Sequence, residues 1–67
     1  MKLRQLECFV AVVEEGGFTR AAQRIGIAQP SLSEQIRLLE EELGGSPIER
    51  LPRGLALTAA GRALVPE

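Results

Sequence analysis

The chain has 67 residues, a formal net charge of −1, 45% hydrophobic residues and 25% charged residues. This size allows one small domain with a modest core, and the composition excludes a disordered chain. No apolar run reaches the roughly 20 residues that cross a bilayer, and the charged N-terminus argues against export, so a cytoplasmic location away from membranes is expected.

The sequence lacks the residues on which most catalytic and metal sites depend. It contains no histidine, tyrosine or tryptophan, and its one cysteine, Cys8, has no imidazole to activate it. The acidic run Glu40, Glu41, Glu42 spreads around a predicted helix, whereas a hard cation needs converging oxygen ligands. We therefore predict no catalytic residue, no metal and no cofactor.

The first predicted helix runs from residue 3 to about residue 15 and ends at Gly16-Gly17, because glycine readily takes a left-handed conformation. Apolar residues at three- and four-residue spacing form the stripe predicted to face the core, and they are Leu3, Leu6, Phe9, Val10 and Val13. A weaker apolar strip contains Cys8, Ala11 and Val12. A second packing contact, rather than redox chemistry, is expected there.

The second predicted helix is short and ends at Gly26. Thr19 is its predicted N-cap, because threonine can accept a hydrogen bond from a free backbone N–H of the first turn. Ala21, Ala22 and Ile25 are predicted to face inward. A helix of barely two turns is not stable alone, so packing must hold it.

The third predicted helix begins with Pro30 at its first position, where a missing N–H has no helical partner. Its core stripe has spacings of four, three and four residues before Gly44-Gly45, and consists of Leu32, Ile36, Leu39 and Leu43. The residues predicted on the opposite side are Pro30, Ser33, Glu34, Arg37 and Glu41, joined at the exposed N-terminal end by Gln29 and Ser31.

The segment PIERLPRGLALT contains two short apolar stretches around Pro52-Arg53-Gly54, which predicts a small hairpin with a tight turn. Thr58 is the predicted cap of a last helix in AAGRALVPE. The order of the elements predicts a mainly α fold, a winged helix-turn-helix with three helices, a β-hairpin wing and the start of another helix. A bare three-helix bundle is the alternative that the spacing leaves open.

Four segments, FTRAA, AQPSLSEQI, LEEELG and LTAAG, occur without gaps in an order that resembles the N-terminal DNA-binding domain of LysR-type transcriptional regulators. The resemblance covers nearly the whole chain. It implies a winged helix-turn-helix DNA-binding domain over residues 1–58, with the helix-turn-helix at about 18–37 and the wing at about 47–57. Residues 59–67 would begin a linker helix that is cut off by the end of the chain.

The same resemblance implies a bacterial regulator that binds double-stranded promoter DNA as a dimer or tetramer formed through the linker helix. A C-terminal domain missing from this chain would sense a small-molecule effector, so the chain is expected to be a fragment. Three places depart from the family pattern. Glu34 stands where many members carry arginine, Pro47-Ile48 replaces leucine and phenylalanine, and Leu51-Pro52 precedes Arg53 where a more polar wing tip is common.

In a helix-turn-helix the second helix of the motif enters the major groove by its N-terminal end. Gln29 can pair with adenine, serine hydroxyls can bond to base edges or phosphate, and Arg53 suits a narrow minor groove. By family resemblance, Thr19 is expected to contact the DNA backbone. The full set of candidate DNA-binding residues is Thr19, Arg20, Gln29, Pro30, Ser31, Ser33, Glu34, Arg37 and Arg53.

Glu34 admits two interpretations, because a carboxylate near the groove is repelled by phosphates. It can read a base by accepting a hydrogen bond from cytosine N4. Alternatively, it completes a capping box in which its side chain reaches back to the backbone N–H of Ser31, and the helix then starts one residue later than Pro30 predicts. The residues alone leave both open.

A net charge of −1 argues against nucleic-acid binding unless the charges are separated in space. We expect Arg20, Arg24 and Arg37 near the DNA-facing helices, and Glu14-Glu15 and Glu40–Glu42 toward the other helix ends. The alternative function is a winged-helix module that binds a protein without specific DNA binding. An exposed apolar patch over residues 18–37 and 53 would favour that alternative.

Overall fold

The computed structural model describes residues 2–65 and contains six elements in the predicted order. They are α1 (Leu3–Glu15), α2 (Phe18–Ile25), α3 (Gln29–Leu43), β1 (Ile48–Arg50), β2 (Leu55–Leu57) and α4 (Ala59–Arg62). Helix α1 packs on both α2 and α3, which also pack on each other. Within the described part of the chain, no helix is long and apolar enough to span a bilayer.

Helix α1 buries a different face from the predicted one. Leu3 is 73% exposed and Val10 is 36% exposed. The weaker strip is the buried one, since Cys8, Ala11 and Val12 are at most 2% exposed. The stripe prediction was therefore wrong for Leu3 and Val10. It was right for Phe9, which lies at the border of the two strips and is fully buried, and for Val13, which is partly buried against the core. Two helices pack against α1, and small residues such as cysteine and alanine allow the close approach that larger side chains prevent.

Helices α2 and α3 both begin one residue or more before the predicted positions. The N-cap of α2 is Gly17, so Thr19 is its second residue and the prediction of Thr19 as N-cap was wrong. The N-cap of α3 is Ala28, which makes Pro30 its second residue rather than its first. A missing N–H costs nothing at either position, because no residue of the first turn has a helical acceptor for its N–H. The predicted ends are confirmed, because the C-caps are Gly26 and Gly44 with φ of 85° and 73°.

The predicted core stripe of α3 is confirmed, since Leu32, Ile36 and Leu39 are at most 4% exposed. Leu43 packs against the same core and is partly buried. The core is continued by Ala21 and Ala22 of α2, and their small side chains let α2 lie close to its neighbours.

The hairpin is present and excludes the bare three-helix bundle. Strands β1 and β2 pair antiparallel with Ile48 opposite Leu57 and Arg50 opposite Leu55. The backbone N–H of Leu51 donates to the Gly54 carbonyl at 3.0 Å, and Gly54 has φ of 83°, a conformation that glycine adopts without steric cost. This strand pair is the wing of a winged helix-turn-helix.

Thr58 caps α4, as predicted. Its Oγ1 accepts a hydrogen bond from the Gly61 N–H at 3.2 Å and donates to the Ser46 carbonyl at 2.6 Å. Regular helix extends only to Arg62, which is shorter than the predicted segment. The division at residue 58 into a DNA-binding domain and a linker helix stays a prediction, and its residues 1, 66 and 67 lie outside the described residues.

Candidate nucleic-acid interface

The N-terminal end of α3 is an exposed polar part of the helix-turn-helix. Gln29, Pro30, Ser31 and Glu34 are all exposed, while Leu32 beneath them is fully buried. The buried leucine anchors the helix, and the residues on the other side are small or polar. Other macromolecules can therefore approach this end of the helix closely.

The side chain of Gln29 is held by the preceding helix. Thr19 Oγ1 donates a hydrogen bond to Gln29 Oε1 at 3.3 Å, which joins the first turns of α2 and α3. An amide oxygen has two lone pairs, so Gln29 Oε1 can accept a second hydrogen bond while its NH₂ group remains a donor. The sequence predicted a role for each residue but not this contact, which only the tertiary structure creates.

Ser33 lies at a less exposed place than predicted. It is half-buried and lies one helical turn before Ile36, which is buried. It lines a cavity of about 270 Å³ together with Phe18, Ile36, Glu40, Ser46, Ile48 and Arg50.

Glu34 forms an ion pair and does not cap the helix. Its carboxylate accepts hydrogen bonds from Arg37 Nε at 2.9 Å and from Arg37 Nη2 at 2.6 Å. The N–H of Ser31 donates instead to the Ala28 carbonyl at 3.0 Å, and the N-cap is Ala28. The capping-box interpretation was therefore wrong, because α3 begins earlier than that box requires and Arg37, three residues on, binds the carboxylate.

The ion pair extends along the exposed side of α3, since Arg37 Nη1 also donates to the Glu41 carboxylate. The hydrogen bond from Arg37 lowers the pKa of Glu34 below its ordinary value. The same bond, with the charge of Glu41, raises the pKa of Arg37. Both groups stay ionised at neutral pH, and the two carboxylates of this Glu34–Arg37–Glu41 triplet exceed its one positive charge.

Arg24 does not contribute free positive charge to the helix-turn-helix. Its Nη1 lies 2.6 Å from Glu14 Oε1 and 3.4 Å from Glu15 Oε2 at the end of α1. The expected separation of Arg24 from these glutamates was wrong, because the packing of α2 on α1 places the C-terminal end of α2 next to the C-terminal end of α1. Among residues 2–65, Arg20 and Arg53 are exposed and form no ion pair.

Sequence reasoning did not select Arg50, which lies against the helix-turn-helix. Its guanidinium carbon is 4.3 Å from the centre of the Phe18 ring at the start of α2. Strand alternation is the signal that indicates this position, because residues two apart face the same way and Ile48 is buried against the helices.

The one cysteine of the chain, Cys8, lies in α1, outside the helix-turn-helix surface. No group of three potential metal ligands occurs in the described residues. Burial raises the pKa of the Cys8 thiol, which is fully enclosed in the core. This placement agrees with the packing role predicted for Cys8.

Three packed helices, a glycine turn into an exposed polar helix end, and an adjoining hairpin define a winged helix-turn-helix domain. The sequence profile of the family described as bacterial regulatory helix-turn-helix protein, lysR family, matches residues 3–62. The chain belongs to this family.

Characterised relatives and solved structures show the same similarity. The chain is 52% identical over 65 residues to the HTH-type transcriptional regulator TfdT of Cupriavidus pinatubonensis, covering 97% of the chain and 28% of TfdT. It is 57% identical over 63 residues to the HTH-type transcriptional regulator BudR of Klebsiella aerogenes, covering 94% of the chain and 44% of BudR. The chain thus spans less than half the length of these relatives.

A structure described as a complex of the BenM DNA-binding domain with catB site 1 DNA superimposes with a TM-score of 0.87. The identity is 54%, and the alignment covers 94% of the chain and 71% of the BenM domain. At this identity, the two share a fold and a sequence family.

Proposed function

We propose that the chain is a sequence-specific DNA-binding domain of a bacterial LysR-type transcriptional regulator. The observation that carries the proposal is the exposed polar end of α3, with Gln29 held against α2 by Thr19. In this proposal α3 enters the major groove by that end, and Arg53 of the wing points toward the adjacent minor groove. The BenM domain, of the same fold, is described in complex with DNA.

Base contacts come from the residues at the start of α3. Gln29 suits adenine, because its Oε1 keeps a lone pair for the N6 amino group and its NH₂ donates to N7. Pro30 and Ser31 are small enough to let the helix backbone approach the bases. Ser33, half-buried beneath them, offers a hydroxyl to a phosphate or a base edge.

In this proposal Glu34 contacts a base. The phosphate repulsion that counts against a groove carboxylate is reduced here, because Arg37 neutralises one charge and holds both carboxylate oxygens. Each oxygen retains a lone pair that can accept a hydrogen bond from cytosine N4. Arg37 acts mainly by positioning Glu34.

Phosphate contacts come from arginines that form no ion pair with a carboxylate. Arg20 and Arg53 are exposed and form no ion pair within residues 2–65, in contrast to Arg24 and Arg37. Backbone amides and the Thr19 hydroxyl add neutral contacts, which fix the register of the domain on the duplex.

The alternative of a protein-binding module has less support. The large exposed hydrophobic residues of the described chain are Leu3, Val10 and Leu51, and none of them lies within residues 18–37. The relatives are named as transcriptional regulators, which supports a role in DNA binding without catalysis. We propose for the whole protein a cytoplasmic dimer or tetramer that responds to a small-molecule effector through a further domain.

The test is a fluorescence anisotropy titration of the 67-residue chain. A duplex enriched from a random-sequence library is compared with a shuffled duplex of the same composition at roughly 0.15 M salt. We expect a Kd on the order of micromolar or weaker for the enriched duplex, because one domain contacts one half-site. Equal affinity for the two duplexes would refute sequence specificity.

A further inference from the structure

We propose that Arg50 is an additional phosphate-binding residue, whose guanidinium is held in position by the ring of Phe18. The inference deepens the proposed DNA-binding function and rests on it. It assigns to Arg50 a role that links the wing to the helix-turn-helix.

The contact between Arg50 and Phe18 lies where the wing meets the helix-turn-helix. Arg50 is the last residue of β1, directly before the turn that carries Arg53, and Phe18 is the first residue of α2, directly before Thr19 and Arg20. The guanidinium carbon lies 4.3 Å from the ring centre, which is within the range of a cation–π interaction. The contact therefore joins the first strand of the wing to the start of the helix-turn-helix.

The contact with the ring leaves the charge and the N–H donors of Arg50 available to a ligand. The Phe18 ring has no nitrogen or oxygen acceptor, so its contact with the guanidinium takes up none of the five N–H donors in a conventional hydrogen bond. Arg50 is exposed and, within residues 2–65, its guanidinium forms no ion pair. Glu40 lines the same cavity but forms no ion pair with Arg50. Arg50 thus keeps its full charge and its donors, unlike Arg37.

In the proposed complex, the charge of Arg50 lies close to one strand of the duplex. A phosphodiester strand separates the major groove from the neighbouring minor groove. A domain with α3 in one groove and the wing tip toward the other must cross that strand between them. Arg50 lies at the junction of wing and helices, so it faces the phosphates of that strand. The Phe18 ring restricts its movement in advance, which reduces the entropy lost on binding.

The experiment measures the salt dependence of binding to the enriched duplex, because each phosphate contact contributes roughly 0.9 to the slope of log K against log [salt]. Arg50→Gln removes the charge and leaves a shorter, neutral polar side chain. We expect several-fold weaker binding and a slope less steep by roughly 0.9. Arg50→Lys should keep the wild-type slope.

The matched control is Arg4→Gln, which removes the same charge elsewhere. Arg4 is exposed in the first turn of α1. Its neighbour Leu3 lines a groove together with Arg24 and Ile25, which lie at the opposite end of α2 from Phe18. Eight residues of helix separate the two ends of α2 by about 12 Å, which exceeds the Debye length at 0.15 M salt. The slope for Arg4→Gln should stay close to wild type.

Variants of Phe18 test the part played by the ring. Phe18→Leu removes the ring but leaves the charge of Arg50, so we expect several-fold weaker binding with an unchanged slope. Phe18→Tyr retains the ring and should bind as the wild type does. An Arg50→Gln variant with lowered Tm but the wild-type slope would overturn the inference, because Arg50 would then only support packing. Equal binding of the enriched and the shuffled duplex by the wild type would refute the proposed function and this inference with it, whereas selective wild-type binding with an unchanged slope for Arg50→Gln would refute this inference alone.

Discussion

Gly61 lies where the backbone of α4 meets the start of the wing, and we predict that Gly61→Ala destabilises the domain. A Cβ atom at this position would lie 1.9 Å from the Pro47 carbonyl oxygen and 3.2 Å from Leu57 Cδ2. The nearest atom belongs to the backbone, so no side-chain rotation relieves the overlap. The same carbonyl oxygen accepts a hydrogen bond from the Thr58 N–H at 3.2 Å.

The magnitude follows from the size of this overlap. An ordinary contact distance of roughly 3.5 Å requires the two backbone segments to separate by about 1.5 Å. Overpacking of this kind costs about 1–3 kcal/mol, and weakening one buried hydrogen bond costs about 0.5–1.5 kcal/mol. Alanine recovers about 0.5–1 kcal/mol in a helix. These ranges combine to a net loss in the free energy of unfolding of about 2 kcal/mol, within limits of about 0.5–4 kcal/mol, which is a large part of the roughly 3–10 kcal/mol expected for a domain of this size.

Thermal unfolding followed by far-ultraviolet circular dichroism measures this loss. For a domain of this size we expect a Tm lowered by roughly 10–20 °C. Gly45→Ala is the matched control, since no atom lies within 4 Å of the Cβ it would add and Gly45 lacks a left-handed φ. A Tm for Gly61→Ala equal to that of Gly45→Ala would refute the close approach of α4 to the wing.

Four further predictions concern the core and the interface. Leu32→Ala removes a fully buried side chain beneath the exposed end of α3 and should lower the free energy of unfolding by about 2–5 kcal/mol in chemical denaturation. Gln29→Ala should relax discrimination at particular base pairs, by roughly 1–3 kcal/mol in a titration over single-base variants of the enriched duplex. Arg53→Ala should weaken binding across sequences, lessen the salt slope and act most strongly on duplexes with A·T-rich flanks; a selectivity profile identical to that of Gln29→Ala would contradict this division of roles. Glu34→Gln should reduce the preference for cytosine at one position, and a profile of unchanged shape would exclude the base contact. The lowered pKa of Glu34 also means that its ion pair with Arg37 stabilises the wild type relative to this variant at neutral pH. That small difference, measured as Tm, should disappear as the pH falls through the lowered pKa, below 4.5.

The C-terminal ends of the helices and the wing follow from local signals that the sequence contains. Glycine after an apolar stripe predicts a helix end without reference to the rest of the fold, and Gly26 and Gly44 occupy such positions. The turn at Gly54 and the cap at Thr58 are local in the same sense. Each of these signals depends on backbone conformation within a few residues.

Local N-cap signals misplaced the starts of α2 and α3 by one or two residues. The other predictions that failed depend on contacts between elements. Helix α1 has two adjacent apolar strips, and only the packing of α2 and α3 decides which one is buried. The pairing of Arg24 with Glu14 joins residues ten apart in sequence on two helices, so no periodicity predicts it. The contact of Arg50 with the Phe18 ring likewise requires the wing to lie beside α2. Which arginines carry an unpaired charge at the interface therefore depends on how the helices and the wing pack together.

The most direct test of the central claim is a titration of the ¹⁵N-labelled chain with the enriched duplex, followed by two-dimensional NMR. We predict that the amide signals of Gln29, Ser31 and Ser33 shift most, together with those of the wing tip at Arg53. Signals of the α1 residues Leu3 and Val10, on the groove beside α2, should change little. Shifts confined to that groove, with the start of α3 unchanged, would contradict the insertion of α3 into DNA.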